Sequence, residues 1–295
     1  MKTIERMLVA IEDEDHGAFV IEKALALRDH ANATPTFAKI HYDHVIDDPV
    51  LGFSPEEHDR VVRLETQAEQ IKFRHFVSKY VRGGDWRAEV VWSKQPWRGI
   101  IDLAHRGECR LIVKDAYVER RLGQVIHTAH DWNLLRYADM PVMMVKPVQW
   151  VAHAVVLAAI DVVDGTADAL NQRILRYAND LTEMLGGTLY VANALPLSRR
   201  LVMEQHRGED YERFIADICA GRLGQIERLL TETHVTGARV QIVQGTPHAA
   251  IAEVAEELKA EILVIGKSRL DVAEYLGTTS ERLLHSVNSD VVSIA

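Results

Sequence analysis

Cysteine is scarce in this chain of 295 residues: there are two, Cys109 and Cys219. They are too few and too far apart in sequence to frame a disulfide scaffold. Both sit in apolar contexts, which predicts buried free thiols in a reducing compartment. Long apolar runs are also missing, since nothing approaches the roughly 20 residues of a membrane span. The opening Met1-Lys2-Thr3-Ile4-Glu5-Arg6 passes almost directly into "MLVAI", without the apolar core and cleavage site of a signal peptide. The expected location is the cytoplasm, with no membrane partner. Positive charge is not in excess either. Lys and Arg number 34 against 43 Asp and Glu, a net charge of −9. That balance excludes a surface built for nucleic acid, which needs concentrated basic charge. What remains is a 47 % hydrophobic chain, enough for two ordinary cores.

The chain repeats itself. "MLVAIEDEDHG" from Met7 returns as "VVLAAIDVVDG" from Val155. "VVWSKQPWRGIIDLA" from Val90 returns as "QIVQGTPHAAIAEVA" from Gln241, and "LLRYADMPVMMV" from Leu134 returns as "LLHSVNSDVVSI" from Leu283. Three matched segments in the same order indicate a duplication. The boundary is expected near Pro147-Val148-Gln149-Trp150, giving domains 1–149 and 150–295.

Within each copy, short apolar runs alternate with helical patterns, the mark of a parallel sheet covered by helices. The first copy places strands near 7–11, 36–42, 87–92, 110–114 and 141–146. The second places them near 154–160, 188–194, 238–243, 261–266 and 290–294. Runs such as "AVVLAAI" and "EILVIG" suit strands buried on both faces. Ser54-Pro55-Glu56-Glu57 is a capping box with proline at the first helical position, so a helix starts there. Val61, Leu64, Ala68 and Ile71, then Phe76 and Tyr80, give that helix an apolar stripe. Tyr211, Phe214, Ile215, Ile218, Leu223, Ile226 and Leu230 mark its counterpart. Right-handed crossovers then predict an α/β fold of two five-stranded doubly wound domains.

Ligands of such sheets bind beyond the carboxyl ends of the strands. In the second copy those ends carry Asp161, Ala192-Asn193, Gln244-Gly245-Thr246-Pro247 and the stretch "VIGKSRLDVAEYLGTTSERLL" from Val264. In that stretch Thr278-x-x-Glu281 reads as a capping box, so Thr278 and Ser280 either satisfy helix N–H groups or face an anion at a positive helix end. Two histidine groups, His41-Tyr42-Asp43-His44 and His127-x-x-His130-Asp131, lack the third ligand at defined spacing that a dedicated metal site needs, and Thr128-x-x-Asp131 already reads as a helix cap. No Ser-His-Asp set or nucleophile elbow stands at the spacing acyl transfer requires, so no catalytic residue is assigned. Glu256-Glu257 reads as a solvated helix face. The tryptophans all lie in the first half or the linker and read as packing residues, with Trp92 and Trp97 flanking the third-strand turn.

The acid after the first strand, the Gly-x-Pro turn after the third and the glycine loop after the fourth resemble universal stress proteins. The internal duplication resembles the tandem, two-domain E-type branch, and the likeness covers essentially the whole chain. It implies flavodoxin-like domains of strand order 3-2-1-4-5, a cytoplasmic location and a role in surviving stress. In that family the first-strand acid, here Asp161, contacts the adenine and ribose side of a nucleotide. ATP-binding members carry Gly-x2-Gly-x9-Gly-Ser/Thr after strand four. This chain has Gly266, then Arg269 at the second glycine position, then only seven residues before Gly277-Thr278. A side chain at that glycine fills space the phosphates need, whereas an inward Arg269 would pair with an anion. In the first copy Asp115 stands at the first glycine position, where a carboxylate repels polyphosphate.

The resulting expectation is a non-catalytic stress protein. Its second domain carries a modified nucleotide-type pocket formed by Asp161, Asn193, Gly266, Ser268, Arg269, Gly277, Thr278, Thr279 and Ser280. The cofactor is left open: ATP is one candidate ligand and no metal is required. The first domain is expected to pack against the second as an intramolecular pseudo-dimer, with a homodimer of tandem chains as a further option. The alternatives are a pure interaction module with two vestigial pockets, or an ATP-binding protein with weak ATPase activity.

Overall fold

The computed structural model describes residues 4–12, 17–116, 129–162, 165–196, 209–267 and 278–295. The chain divides into two compact units, Lys2–Pro147 and Val148–Ala295.

The first unit contains β1 (Arg6–Ala10), α1 (Gly17–Ala31), β2 (Thr34–His41), α2 (Pro55–Tyr80), β3 (Arg87–Trp92), α3 (Pro96–Arg106), β4 (Leu111–Asp115), α4 (Ala129–Tyr137) and β5 (Val142–Val145). Its strands run parallel in the order β3-β2-β1-β4-β5. Val9 shows why the central strand must be apolar. It lies between Phe37 and Val113 in the sheet, and all three side chains are fully buried. With helices on both faces, β1 has no solvent face, so its sequence is a run and does not alternate.

The second unit repeats the pattern with β6 (Val155–Ala159), α5 (Asp168–Leu185), β7 (Thr188–Leu195), α6 (Glu209–Thr233), β8 (Arg239–Gln244), α7 (Pro247–Glu257), β9 (Ile262–Gly266), α8 (Thr278–Ser286) and β10 (Asp290–Ile294). The strand order is β8-β7-β6-β9-β10, again parallel. Both units therefore have the 3-2-1-4-5 arrangement.

Local chemistry sets the element ends. Ser54 Oγ accepts from the Glu57 N–H at 3.3 Å and Glu57 Oε2 accepts from the Ser54 N–H at 2.9 Å, so the capping box opens α2. Gly186, with φ of 60°, ends α5 in the left-handed region. The chain then passes Gly187 so close to Ala154 that an added Cβ would lie 2.0 Å from the Ala154 carbonyl oxygen. Only glycine fits there.

The α2 stripe differs from expectation. The buried side chains of α2 are Glu69, Phe73, Phe76 and Val77, whereas Leu64 is 60 % exposed and Ile71 is 73 % exposed. Phe73 and Phe76 carry the larger apolar area toward the sheet, and the Leu64–Ile71 row lies on the opposite side of the helix. In α6, Ile215, Ile226 and Leu229 are buried, while Leu223 is exposed. Cys109 is buried, and burial pushes its thiol up to about 11, so it stays protonated at neutral pH. Cys219 is half-buried and also free. Among the described residues, no helix is long and apolar enough to cross a membrane.

Candidate functional site

The carboxyl edge of the second sheet is built around the end of β6. Ala158 lies opposite Val264, which brings the two strand ends, Ile160-Asp161 and Gly266, side by side. Asn171 of α5 is buried and clamps this end. Its Oδ1 accepts from the Asp161 N–H at 3.2 Å and its Nδ2 donates to the Asp161 carbonyl. The Asp161 backbone is fixed by this clamp while its side chain stays at the surface.

Asn193, near the end of β7, is 1 % exposed. Its Nδ2 donates to the Ile160 carbonyl at 2.9 Å, and its Oδ1 accepts from Arg222 Nη1 at 2.6 Å. Asn193 therefore ties β7 to β6 and holds an arginine. Arg222 reaches in from α6, half-buried, and also donates to the Ala194 carbonyl at 3.2 Å. Both of its acceptors are neutral, and among the described residues it has no carboxylate partner. A single sequence offers no periodic or motif signal for Arg222, because it lies 29 positions from Asn193 and only the fold brings the two together.

Gly266 has a packing reason to be glycine. An added Cβ would lie 2.6 Å from Leu170 Cδ2 and 3.0 Å from Ile174 Cδ1 of α5. Ser268, Arg269 and Gly277 lie outside the described residues. Thr278, Thr279 and Ser280 open α8, with Thr278 already helical, one residue earlier than a Thr278 cap would start it; their side chains lie outside the described residues.

The equivalent edge of the first domain holds a buried ionic cluster. Lys114, at the end of β4, has a side chain 1 % exposed. Its Nζ lies 2.7 Å from Asp131 Oδ1, 3.3 Å from Glu12 Oε1 and 3.4 Å from Asp115 Oδ1. Asp131 comes from the first turn of α4 and is fully buried, Asp115 is 3 % exposed, and Glu12 follows β1. Asp131 thus reaches an internal ammonium, beyond the helix-cap role its spacing suggests. Burial alone would lower the Lys114 pKa, but Asp115, Asp131 and Glu12 together hold it above the ordinary lysine range. Burial, reinforced by Asp115 and Asp131 and opposed by Lys114, raises the Glu12 carboxyl. Three carboxylates around one ammonium leave this cluster with an excess of negative charge.

The described histidines of the first group have separate partners. His41 Nε2 lies 3.5 Å from Glu65, the Tyr42 hydroxyl donates to Asp47, and His44 points to solvent. Among the described residues, no group of three metal-type ligands forms; His127 and Thr128 lie outside them. Trp92 packs edge-on against His41 and Tyr42, and Trp97 stacks on Tyr137 at 4.8 Å. A cleft of about 630 Å³ lies at the other end of the first sheet, against the amino ends of β1, β2 and β3. Its arginines, Arg6, Arg87 and Arg106, are interleaved with Asp85 and Glu89, which gives it no dominant sign.

The universal stress protein family profile matches residues 3–146 and 155–294, one match per unit. Universal stress protein E of Escherichia coli K12 is 25 % identical over 301 residues, covering 100 % of this chain and 95 % of that protein. A homolog of universal stress protein E from Haemophilus influenzae is 24 % identical over 249 residues, covering 81 % of this chain and 78 % of that protein. Among solved structures, a universal stress protein from Archaeoglobus fulgidus superposes with a TM-score of 0.65 at 18 % identity, covering 100 % and 99 % of the two chains. A functionally unknown protein from Pseudomonas aeruginosa PAO1 superposes with a TM-score of 0.72 at 22 % identity, covering 99 % and 93 %. Two family matches in one chain, two matching folds and whole-length relatives lead to one assignment: the chain belongs to the universal stress protein family, as a tandem, two-domain member of the E type.

Proposed function

We propose that this is a non-catalytic stress-response protein whose second domain holds a small anion-bearing ligand at the carboxyl edge of its sheet. The observation that carries this reading is Arg222. A half-buried guanidinium held at 2.6 Å and 3.2 Å by two neutral oxygens has, among the described residues, donors to spare and no carboxylate to balance its charge. A phosphate or carboxylate satisfies both. Asp161, pinned by its backbone to Asn171, stands at the neighbouring strand end to accept a hydroxyl or ring N–H from the uncharged part of the ligand. In this reading Asn193 orients Arg222 and does not itself touch the ligand. Gly266, Ser268, Arg269, Gly277 and the Thr278-Thr279-Ser280 helix start complete the site, and ATP is one ligand of the class.

Calorimetry with ATP, AMP, inorganic phosphate and a panel of acidic metabolites tests it. The expected result is binding of at least one of them. Arg222→Met should then weaken it by roughly tenfold or more, the worth of one hydrogen bond to a charged group. Asp161→Ala should weaken binding of ligands with a polar uncharged moiety but leave inorganic phosphate unaffected. Wild-type protein that binds none of the panel would sink the pocket reading. The interaction-module reading, which the acidic cluster of the first domain favours, would then take its place. ATP turnover that Arg222→Met abolishes would replace the non-catalytic role with an ATPase.

A further inference from the structure

Helix α2 has two apolar faces, and the first domain uses one. The buried face, Phe73, Phe76 and Val77, packs on the sheet. The opposite face follows a 4-3-4-3 spacing: Glu57, Val61, Leu64, Ala68, Ile71, His75 and Ser78. That is the a/d spacing of a coiled coil, apolar at its second to fifth positions. Leu64 is 60 % exposed, Ile71 is 73 % exposed, and Ala68 between them is exposed. Just before the helix, the turn around Pro49–Leu51 adds Val50, 89 % exposed, with Leu51 and Phe53 also exposed. A row of this length is more than the scattered apolar residues that ordinary surfaces carry.

Charge identifies what covers the row. In the first half of α2, residues 55–67, Glu56, Glu57, Asp59 and Glu65 stand against Arg60 and Arg63, a net of −2. In the second half, residues 68–80, Glu69 stands against Lys72, Arg74 and Lys79, a net of +2. A second α2 laid antiparallel sets each acidic half against a basic half. A parallel partner would set like against like. A two-fold axis at the Gln67–Ala68 step pairs Leu64 with Ile71 of the second copy and Glu57 with Ser78. The small Ala68 at the axis lets the helices approach closely.

We propose that two copies of this chain associate through an antiparallel, isologous pairing of α2 about Ala68. A helix of this length spans about 39 Å. One helix pair makes an interface at the small end of the specific range, so the expected dimer is weak and reversible, on the order of micromolar.

Sedimentation velocity of the full chain from about 1 to 200 μM, bracketing that range, should show monomer converting to dimer. Leu64→Glu with Ile71→Glu should abolish the dimer with an unchanged circular dichroism spectrum, because both sites are exposed. Cysteine substitution reads the geometry independently of that pair. Under oxidation Ala68→Cys should cross-link into a dimer, whereas Ser78→Cys, far from the axis, should not. The proposal is overturned by a wild type that stays monomeric throughout, by a dimer indifferent to the glutamate pair, or by equal cross-linking at Ser78 and Ala68.

Discussion

Replacing Lys114 with methionine removes one charge from the first domain and leaves three of the opposite sign. Its side chain is 1 % exposed and Asp131 is fully buried 2.7 Å away, with Asp115 and Glu12 at 3.4 and 3.3 Å. Removing one partner of a buried ion pair costs about 3–5 kcal/mol, because the survivor keeps its desolvation penalty without compensation. For a domain of this size each kcal/mol moves the melting point by about 3 °C, so the expected loss is roughly 10–15 °C. Trp86, Trp92, Trp97 and Trp132 all lie in the first unit, so thermal melts followed by tryptophan emission report mainly on the affected domain. The loss should depend on pH. In Lys114→Met the stranded carboxyls are raised above their unfolded values, and a raised carboxyl destabilises the fold as pH climbs through that range. The gap between variant and wild type should therefore narrow from pH 7 to pH 5. Lys114→Met combined with Asp131→Leu should recover only part of the lost stability, since it removes the fully buried Asp131 charge while Asp115 and Glu12 keep theirs. A single variant that loses less than about 1 kcal/mol, equally at both pH values, would refute the reasoning, because such a cluster would be solvated like a surface pair.

Three further outcomes follow from the same geometry. Glu12→Gln should keep or raise stability at neutral pH, because the raised Glu12 carboxyl favours the fold only below its unfolded value near pH 4 and loses that contribution as pH rises; the difference from wild type should vanish in melts near pH 4. Asn171→Ala strands the Asp161 N–H and carbonyl and should cost about 2 kcal/mol in urea unfolding, with faster amide exchange at the end of β6. Gly266→Ala should cost about 1–2 kcal/mol, as its Cβ drives Leu170 aside; an unchanged melting point with lost ligand binding would show that this glycine serves the ligand and not the packing.

The duplication, both parallel sheets and the start of α2 were legible because their signals are local or periodic. A strand buried on both faces must be an apolar run, as "MLVA" and "ILVIG" are, and a Ser-x-x-Glu box closes on itself within one turn. The site was legible only in outline. Sequence position put Glu12 and Asp161 at strand ends and Asp115 at a glycine position, but not what each one touches. The Leu64–Ile71 row was legible as apolar and not as exposed, because α2 carries two apolar rows and its own sequence does not say which one meets the sheet.

The sequence by itself determined two α/β domains of one family and where along the chain their ligand-facing loops fall. The tertiary structure decided that Lys114 meets acids from the end of β1 and the start of α4, that Asn193 holds Arg222, and that Gly266 makes room for Leu170. The physical reason is range. Hydrophobic periodicity and capping act within a few residues, whereas ion pairing and close packing join groups 17 to 102 positions apart, whose meeting depends on how the strands and helices are placed.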